Sequence, residues 1–401
     1  MITRKKTPFW LVLLSGIVML AACGRENKLP VYRCTGTGDT AAPHPDAAQY
    51  QALLQKYIRL GLPGIAVRVE DGRGIYTGAA GLADIRAGIG YPPCTVAKLG
   101  SITKLFFATS VFRLVEQGQL DLDAPIAAYF SAEQRKRVAN LEQVTLRDLL
   151  MHRTGIPDLI AQSNYYLDVL NRPDGKRSAE DLLKFVYNLP ADFAPRGKAA
   201  YSNTNTLLAS MVVDAIRPGG HDHGWWMRKL VFEPVGMTNT WYRGYESVPG
   251  RVAKGYFDLY QNGALTDVTG LITGDGHGFT GAFSNVYDLH SFLRALFVDS
   301  SLLGANSLQQ MQTWQTIDAG HQLGAGIIHD YFDKPVPGIG HFGGDFGYAA
   351  GAHVFPSATR PYPARGPRSI SFCVNYGTNG GSALRDVYFD FRNELYDLVM
   401  R

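Results

Sequence analysis

Gly100-Ser101-Ile102-Thr103-Lys104-Leu105-Phe106-Phe107-Ala108-Thr109-Ser110-Val111-Phe112-Arg113-Leu114-Val115-Glu116-Gln117-Gly118 is the stretch from which the rest of the chain is best read. Apolar residues recur in it at helical spacing (Leu105, Ala108, Val111, Phe112, Val115), and Gly118 follows as a stop. A buried helix beginning at the serine is therefore expected. Three residues along an α-helix bring two side chains onto one face, so the Ser101 hydroxyl and the Lys104 amine should meet. A Ser-x-x-Lys turns up roughly once by chance in a chain this long, and taken alone it reads better as a solvated surface turn. Its surroundings have to decide.

Upstream, residues 48–60 read as a helix. After Gly61-Leu-Pro-Gly64 the runs 65–69 and 74–77 read as two paired strands around Asp71-Gly72. Downstream, residues 120–317 carry mostly helical patterns broken by Pro and Gly loops, among them 145–152 and 202–215. The tail returns to strands near 349–355 and 369–375 and closes with a helix over 386–400. Strands at both ends with helices between them predict an α+β fold, an α/β sandwich. Its antiparallel sheet would be built from residues 47–100 and 318–401 and flanked by helices, with an inserted, mostly helical subdomain over 101–317.

With 401 residues, 46% of them hydrophobic and 18% charged, the chain has the composition of a folded globular body. Residues 1–22 have a basic start (Arg4, Lys5, Lys6) and an apolar run too short to span a bilayer comfortably, ending in Leu20-Ala21-Ala22 before Cys23. They read as a signal peptide. The formal charge is +4, and losing those three cations with the leader leaves +1, so nothing calls for a nucleic-acid partner. Residues 23–46, polar and rich in Gly, Thr, Ala and Pro, read as a tether. Of the remaining cysteines, Cys34 and Cys94 are a possible bridge. Cys373 sits in an alternating, strand-like run and reads as a buried, inert thiol.

Further motifs follow in order: Leu149-Leu-Met-His152-Arg-Thr-Gly155, Phe193-Ala-Pro195-Arg-Gly197 before Tyr201-Ser-Asn203, Pro234-Val-Gly-Met237, and Gly340-His341-Phe-Gly343-Gly344. With Ser101-x-x-Lys104, this series resembles the serine beta-lactamase and penicillin-binding D-alanyl-D-alanine carboxypeptidase family, in its class C-like branch, over about residues 50–400. The resemblance implies Ser101 as nucleophile, Lys104 and Tyr201 sharing the proton work, and Asn203 orienting Lys104 and the substrate amide. It also implies that His341-Phe-Gly343 stands where many relatives have Lys-Thr-Gly, and that the backbone N–H groups of Ser101 and Gly344 form an oxyanion hole. His341 would border the pocket as a polar or partly cationic group. Leu-Ala-Ala-Cys resembles a bacterial lipobox, which implies that Cys23 is lipidated and that the body is exported to the periplasmic side of a membrane, the outer membrane being favoured.

Tyr260-Gln-Asn262 offers a second Tyr-x-Asn. Asn262-Gly263 reads as a hairpin turn, which makes Tyr260 a strand residue before it and leaves Tyr201 as the motif tyrosine. Phe342 departs from the family, where a hydroxyl is common. Its ring is expected to fill that space and to favour esters or amides with apolar groups over beta-lactams or D-Ala-D-Ala peptides. His221-Asp-His223 reads as part of a polar loop, and no metal or organic cofactor is expected. The expected function is a serine hydrolase forming an acyl-enzyme, a cell-envelope peptidase or esterase acting on a small-molecule or peptide substrate. The alternatives are a true class C-type beta-lactamase, a D-Ala-D-Ala carboxypeptidase and, from another class, a non-catalytic peptidoglycan- or penicillin-binding lipoprotein.

Overall fold

The computed structural model describes residues 34, 43–330, 334, 336–356, 366–378 and 382–401. The leader, Cys23 and most of the tether lie outside the described residues.

Helix α1 (Ala47–Arg59) leads into strands β1 (Gly64–Asp71) and β2 (Gly74–Asp84), which pair antiparallel as a hairpin from Gly64↔Gly81 to Asp71↔Gly74. Helix α2 (Ile102–Glu116) starts directly after Ser101. Helix α3 (Asn203–Ile216) starts two residues after Tyr201. The tail supplies β3 (Gly338–Asp345), β4 (Tyr348–Phe355), β5 (Arg368–Val374) and the closing helix α4 (Ala383–Met400).

The sheet has nine strands: Ile89–Gly90, β2, β1, β5, β4, β3, then Ile328–Asp330, Gln322–Leu323 and Gln315–Thr316. Its centre joins the two ends of the chain, with Val67 of β1 opposite Phe372 of β5. The pairing throughout is antiparallel.

Both faces of the sheet are covered, and alternation along the strands shows how. In β1, Ile65, Val67 and Val69 pack under α1 and α4, while Ala66 points to the opposite core shared with α2. In β4, Ala350, Ala352 and Val354 join the α2 side, and Ala349 and Phe355 the other. A strand apolar on both faces needs a helical layer on each, which is the predicted sandwich. Helix α2 is the buried spine: every residue from Ile102 to Phe112 is buried. Because that helix is apolar nearly all round, the one-face pattern visible in the sequence understates its burial.

Three details differ from the sequence reading. The segment expected to be mostly helical also holds strands, Trp241–Tyr242 and Ala282–Ser284, which pair with Ala97–Lys98 in a separate three-stranded sheet. Gln315–Thr316, assigned to the helical part, is the edge strand of the main sheet. Tyr260 is not a strand residue: it sits in the loop between the paired Tyr256–Phe257 and Thr266–Asp267, 72% exposed. Cys34 and Cys94 form a disulfide, and Cys373 is free and buried on β5, where burial pushes its thiol up to about 12.

Candidate active site

Ser101 stands at the N-cap of α2 with φ −68° and ψ −8°, so its backbone is already helical. A capping serine normally adopts an extended backbone and spends its hydroxyl on the helix's free N–H groups. Ser101 makes no such bond, and its oxygen is left for chemistry. Gly100 before it has φ +53°, and a Cβ there would lie 2.9 Å from the Gly344 nitrogen and 2.7 Å from its carbonyl oxygen. Only glycine fits both the turn and that approach. On β3, a Cβ at Gly343 would collide with the Leu99 carbonyl and come within 3.2 Å of the Ser101 nitrogen. The bare backbone therefore brings the strand edge against the serine turn, setting the Ser101 and Gly344 nitrogens beside one another.

Lys104 Nζ lies 3.0 Å from Ser101 Oγ, 2.7 Å from Asn203 Oδ1 and 3.0 Å from the Phe279 carbonyl. The amine is 1% exposed, and burial brings its pKa down to about 7 against the opposing pull of Asp158 and Asp345. Tyr201 packs beside the Ser101–Lys104 pair, its ring 4.9 Å from Nζ. Burial raises the phenol's pKa, the opposite of the lowering by ammonium charge that a tyrosinate base would need. The His152 ring stacks on Tyr201 with centroids 4.8 Å apart, and its Nδ1 accepts from the Ser202 N–H at 3.2 Å. His152, in a left-handed conformation after a short helix, thus fixes the tyrosine loop.

The structure brings Ser101, Lys104, Tyr201, Asn203, Gly343 and Gly344 together. His341 is near, 6.1 Å from Tyr201 between ring centroids, but 2% exposed, with burial and the Lys104 charge lowering its pKa to about 3. That direction keeps the ring neutral, which fits the polar and not the partly cationic alternative expected for it. Phe342 also differs from expectation. Alternation along β3 turns its ring to the other face, 4.2 Å from His353 and 4.3 Å from the Arg392 guanidinium, so it does not occupy the pocket.

The pocket at Ser101 is walled instead by Ile160, Tyr165, Tyr166, Phe279 and Phe346, with Thr273, Thr280 and Asp345 at its polar side. Asp345 pairs with Lys98 at 2.9 Å, an amine it shares with Asp275 at 2.7 Å, and accepts hydrogen bonds from both threonines. Among the described residues lining this pocket there is no arginine or lysine.

Sequence reasoning missed Asp158, which accepts from the Asn203 backbone N–H at 2.9 Å and from its Nδ2 at 3.0 Å. It also missed Phe279, which acts through a carbonyl and so leaves no mark in residue type. Asp158 follows the noted Met-His-Arg-Thr-Gly155 run by only three positions, but as a lone carboxylate after Pro157 it reads as a turn residue. His223, read as part of a polar loop, is buried: its Nδ1 pairs with Asp214 at 2.8 Å and its Nε2 with the Tyr242 hydroxyl at 3.2 Å. No group of three or more potential metal ligands occurs among the described residues.

Comparison with known proteins matches this arrangement to a family. The family model described as Beta-lactamase covers residues 48–385. Esterase EstB of Burkholderia gladioli is 31% identical over 53% of this chain and 54% of its own length, so the chain spans about half of that relative. A Beta-lactamase of Escherichia coli (strain K12) is 27% identical over 76% of this chain and 75% of its own. Among solved structures, a D-stereospecific amidohydrolase from Streptomyces sp. superimposes with a TM-score of 0.71 at 27% identity, covering 83% of this chain and 95% of that one. The chain belongs to the beta-lactamase family.

Proposed function

We propose that the protein hydrolyses an uncharged ester or amide with an apolar or aromatic acyl group, through an acyl-enzyme on Ser101 for which Lys104 is the first base. The observation that carries this reading is the set of partners around Lys104 Nζ. A neutral amine has two N–H groups and one lone pair. Asn203 Oδ1 and the Phe279 carbonyl are acceptors only and take the two N–H groups, so the lone pair faces the Ser101 hydroxyl.

Ser101 Oγ attacks the carbonyl carbon as its proton passes to Lys104, and the Ser101 and Gly344 N–H groups hold the oxyanion. The Tyr201 phenol, which burial keeps neutral, gives a proton to the departing alkoxide or amine. One proton returning from Lys104 to Tyr201 restores the starting charges. Water then attacks the ester to Ser101 and releases the acid. The apolar preference rests on Ile160, Tyr165, Tyr166 and Phe346, and the absence of arginine or lysine among the described lining residues argues against substrates that need their carboxylate bound. An amidohydrolase and an esterase among the similar proteins support the same substrate chemistry.

Because Lys104 has to be neutral to accept the proton, kcat/KM is expected to rise with pH through about 7 and then level off. Rates of p-nitrophenyl butyrate hydrolysis between pH 5 and pH 9 check this. A rate that falls, or stays flat, across that interval contradicts the assignment of Lys104 as base.

The leader, with its basic, apolar and small-residue segments ending at Cys23, supports export and lipid anchoring of the body on the periplasmic side of a bacterial membrane. Cys23→Ala is then expected to release the protein from the membrane fraction or leave it unprocessed. A mature wild-type terminus elsewhere, carrying no acyl mass, counts against it.

A further inference from the structure

We propose that Asp158 is a positioning residue that keeps the Asn203 carboxamide turned with its oxygen toward Lys104, and so keeps the Lys104 lone pair aimed at Ser101. The inference rests on the serine-hydrolase reading and adds to it a residue outside the motif series.

A carboxamide has two orientations related by a half-turn, and its partners decide between them. Asn203 Nδ2 faces Asp158, at 3.0 Å from Oδ2 and 3.3 Å from Oδ1. A carboxylate is an acceptor only, so the end of the amide that meets it must be the NH2. The oxygen is left on the other side, 2.7 Å from Lys104 Nζ. With the amide reversed, an N–H of Asn203 would point at Lys104 and compete with the serine for the lone pair.

Asp158 is itself held rigidly. Its Oδ1 accepts from the Asn203 N–H at 2.9 Å and the Ile160 N–H at 3.3 Å. The loop carrying it is clamped to the first turn of α3, since Thr204 Oγ1 donates to the Pro157 carbonyl at 2.7 Å and accepts from the Leu159 N–H at 2.9 Å. Four hydrogen bonds to one carboxylate and its neighbours make a built support for a single rotamer, the role outer partners play for reactive groups elsewhere.

Asp158→Asn tests the idea with almost no change of shape. The new side chain's oxygen can keep the two backbone N–H groups, which places its NH2 against the NH2 of Asn203. Donor then faces donor, and the Asn203 amide is expected to turn over. Relative to wild type, kcat for p-nitrophenyl butyrate should fall by about 10- to 100-fold, with KM little changed, the usual scale for removing a group that orients a reactive one.

The pH profile gives a second readout. The groups facing Lys104 are the carboxylates of Asp158 and Asp345, the rings of His152 and His341, and the phenol of Tyr201. Burial keeps both histidines neutral, and of the two carboxylates that raise the Lys104 pKa Asp158 acts more strongly than Asp345, so Asp158 is the charge whose loss Lys104 feels most. Removing it should move the acidic limb of the variant's profile to lower pH.

The exchange Asp158→Asn with Asn203→Asp supplies the rescue. A carboxylate at position 203 accepts from both Lys104 and the amide at 158, so the double variant should recover part of the lost kcat. Its acidic limb should move up, because the negative charge now touches the amine. Wild-type kcat with an unshifted limb in Asp158→Asn overturns the inference, as does a folded double variant no faster than the single one. Should Asp158→Asn fail to fold, the double variant decides alone: recovery of activity supports the inference and a folded, inactive protein overturns it. A wild-type protein that hydrolyses no ester or amide is a different failure, that of the hydrolase reading itself.

Discussion

Ser101→Ala and Lys104→Ala are each expected to lower turnover on the order of 10³-fold or more, and the double variant should lose little beyond the worse single one. A serine hydroxyl is a poor nucleophile at neutral pH and needs a base at hydrogen-bond distance. In the proposed mechanism that base is Lys104, whose Nζ lies 3.0 Å from Oγ and whose pKa burial lowers to about 7. Removing Oγ abolishes the acyl-enzyme, while removing Nζ leaves Oγ protonated and leaves Asn203 Oδ1 and the Phe279 carbonyl without their donor. Groups that act as one unit lose their effect together, so the two costs should not add. Steady-state kinetics on the three variants, with thermal melting to confirm folding, checks this. Additive losses would mean that Lys104 acts apart from Ser101.

Tyr201→Phe is expected to slow turnover on the order of 10²-fold or more, the usual scale for an acid–base group, while Tyr260→Phe should be close to neutral. The contrast is geometric. The Tyr201 ring is packed against the His152 ring and stands 4.9 Å from Lys104 Nζ, beside Ser101. Tyr260 is 72% exposed in a hairpin loop. Because burial holds the Tyr201 phenol protonated, the loss should fall on departure of the leaving group. Substrates with good leaving groups should then suffer less than amides. Equal effects of the two substitutions would refute the assignment.

Much of this was legible in the chain because it depends on local spacing. The three-residue step from Ser101 to Lys104 guarantees proximity on any helix, and the alternating runs at both ends announce a sheet made from distant segments. What was not legible depends on tertiary approach. Asp158 and Asn203 are 45 residues apart and meet only because Thr204 clamps the Pro157 loop. Phe279 contributes a carbonyl, which every residue has. Phe342 was read as filling the pocket from its type alone, but the face it occupies depends on the register of β3, where one residue's shift exchanges the two sides. The charge state of His341 likewise follows from burial between layers, which its sequence neighbours do not reveal.

The central claim is that Ser101 carries the acyl group, and intact mass measurement tests it most directly. The protein would be exposed in turn to p-nitrophenyl butyrate, a D-Ala-D-Ala peptide and a fluorescent penicillin, quenched in acid, weighed and mapped by peptide. The account predicts a butyryl adduct, localised to the peptide containing Ser101 and absent from Ser101→Ala, with weaker labelling by the two carboxylate-bearing probes. An adduct on another residue, or ester hydrolysis that survives at the wild-type rate in Ser101→Ala, would contradict it.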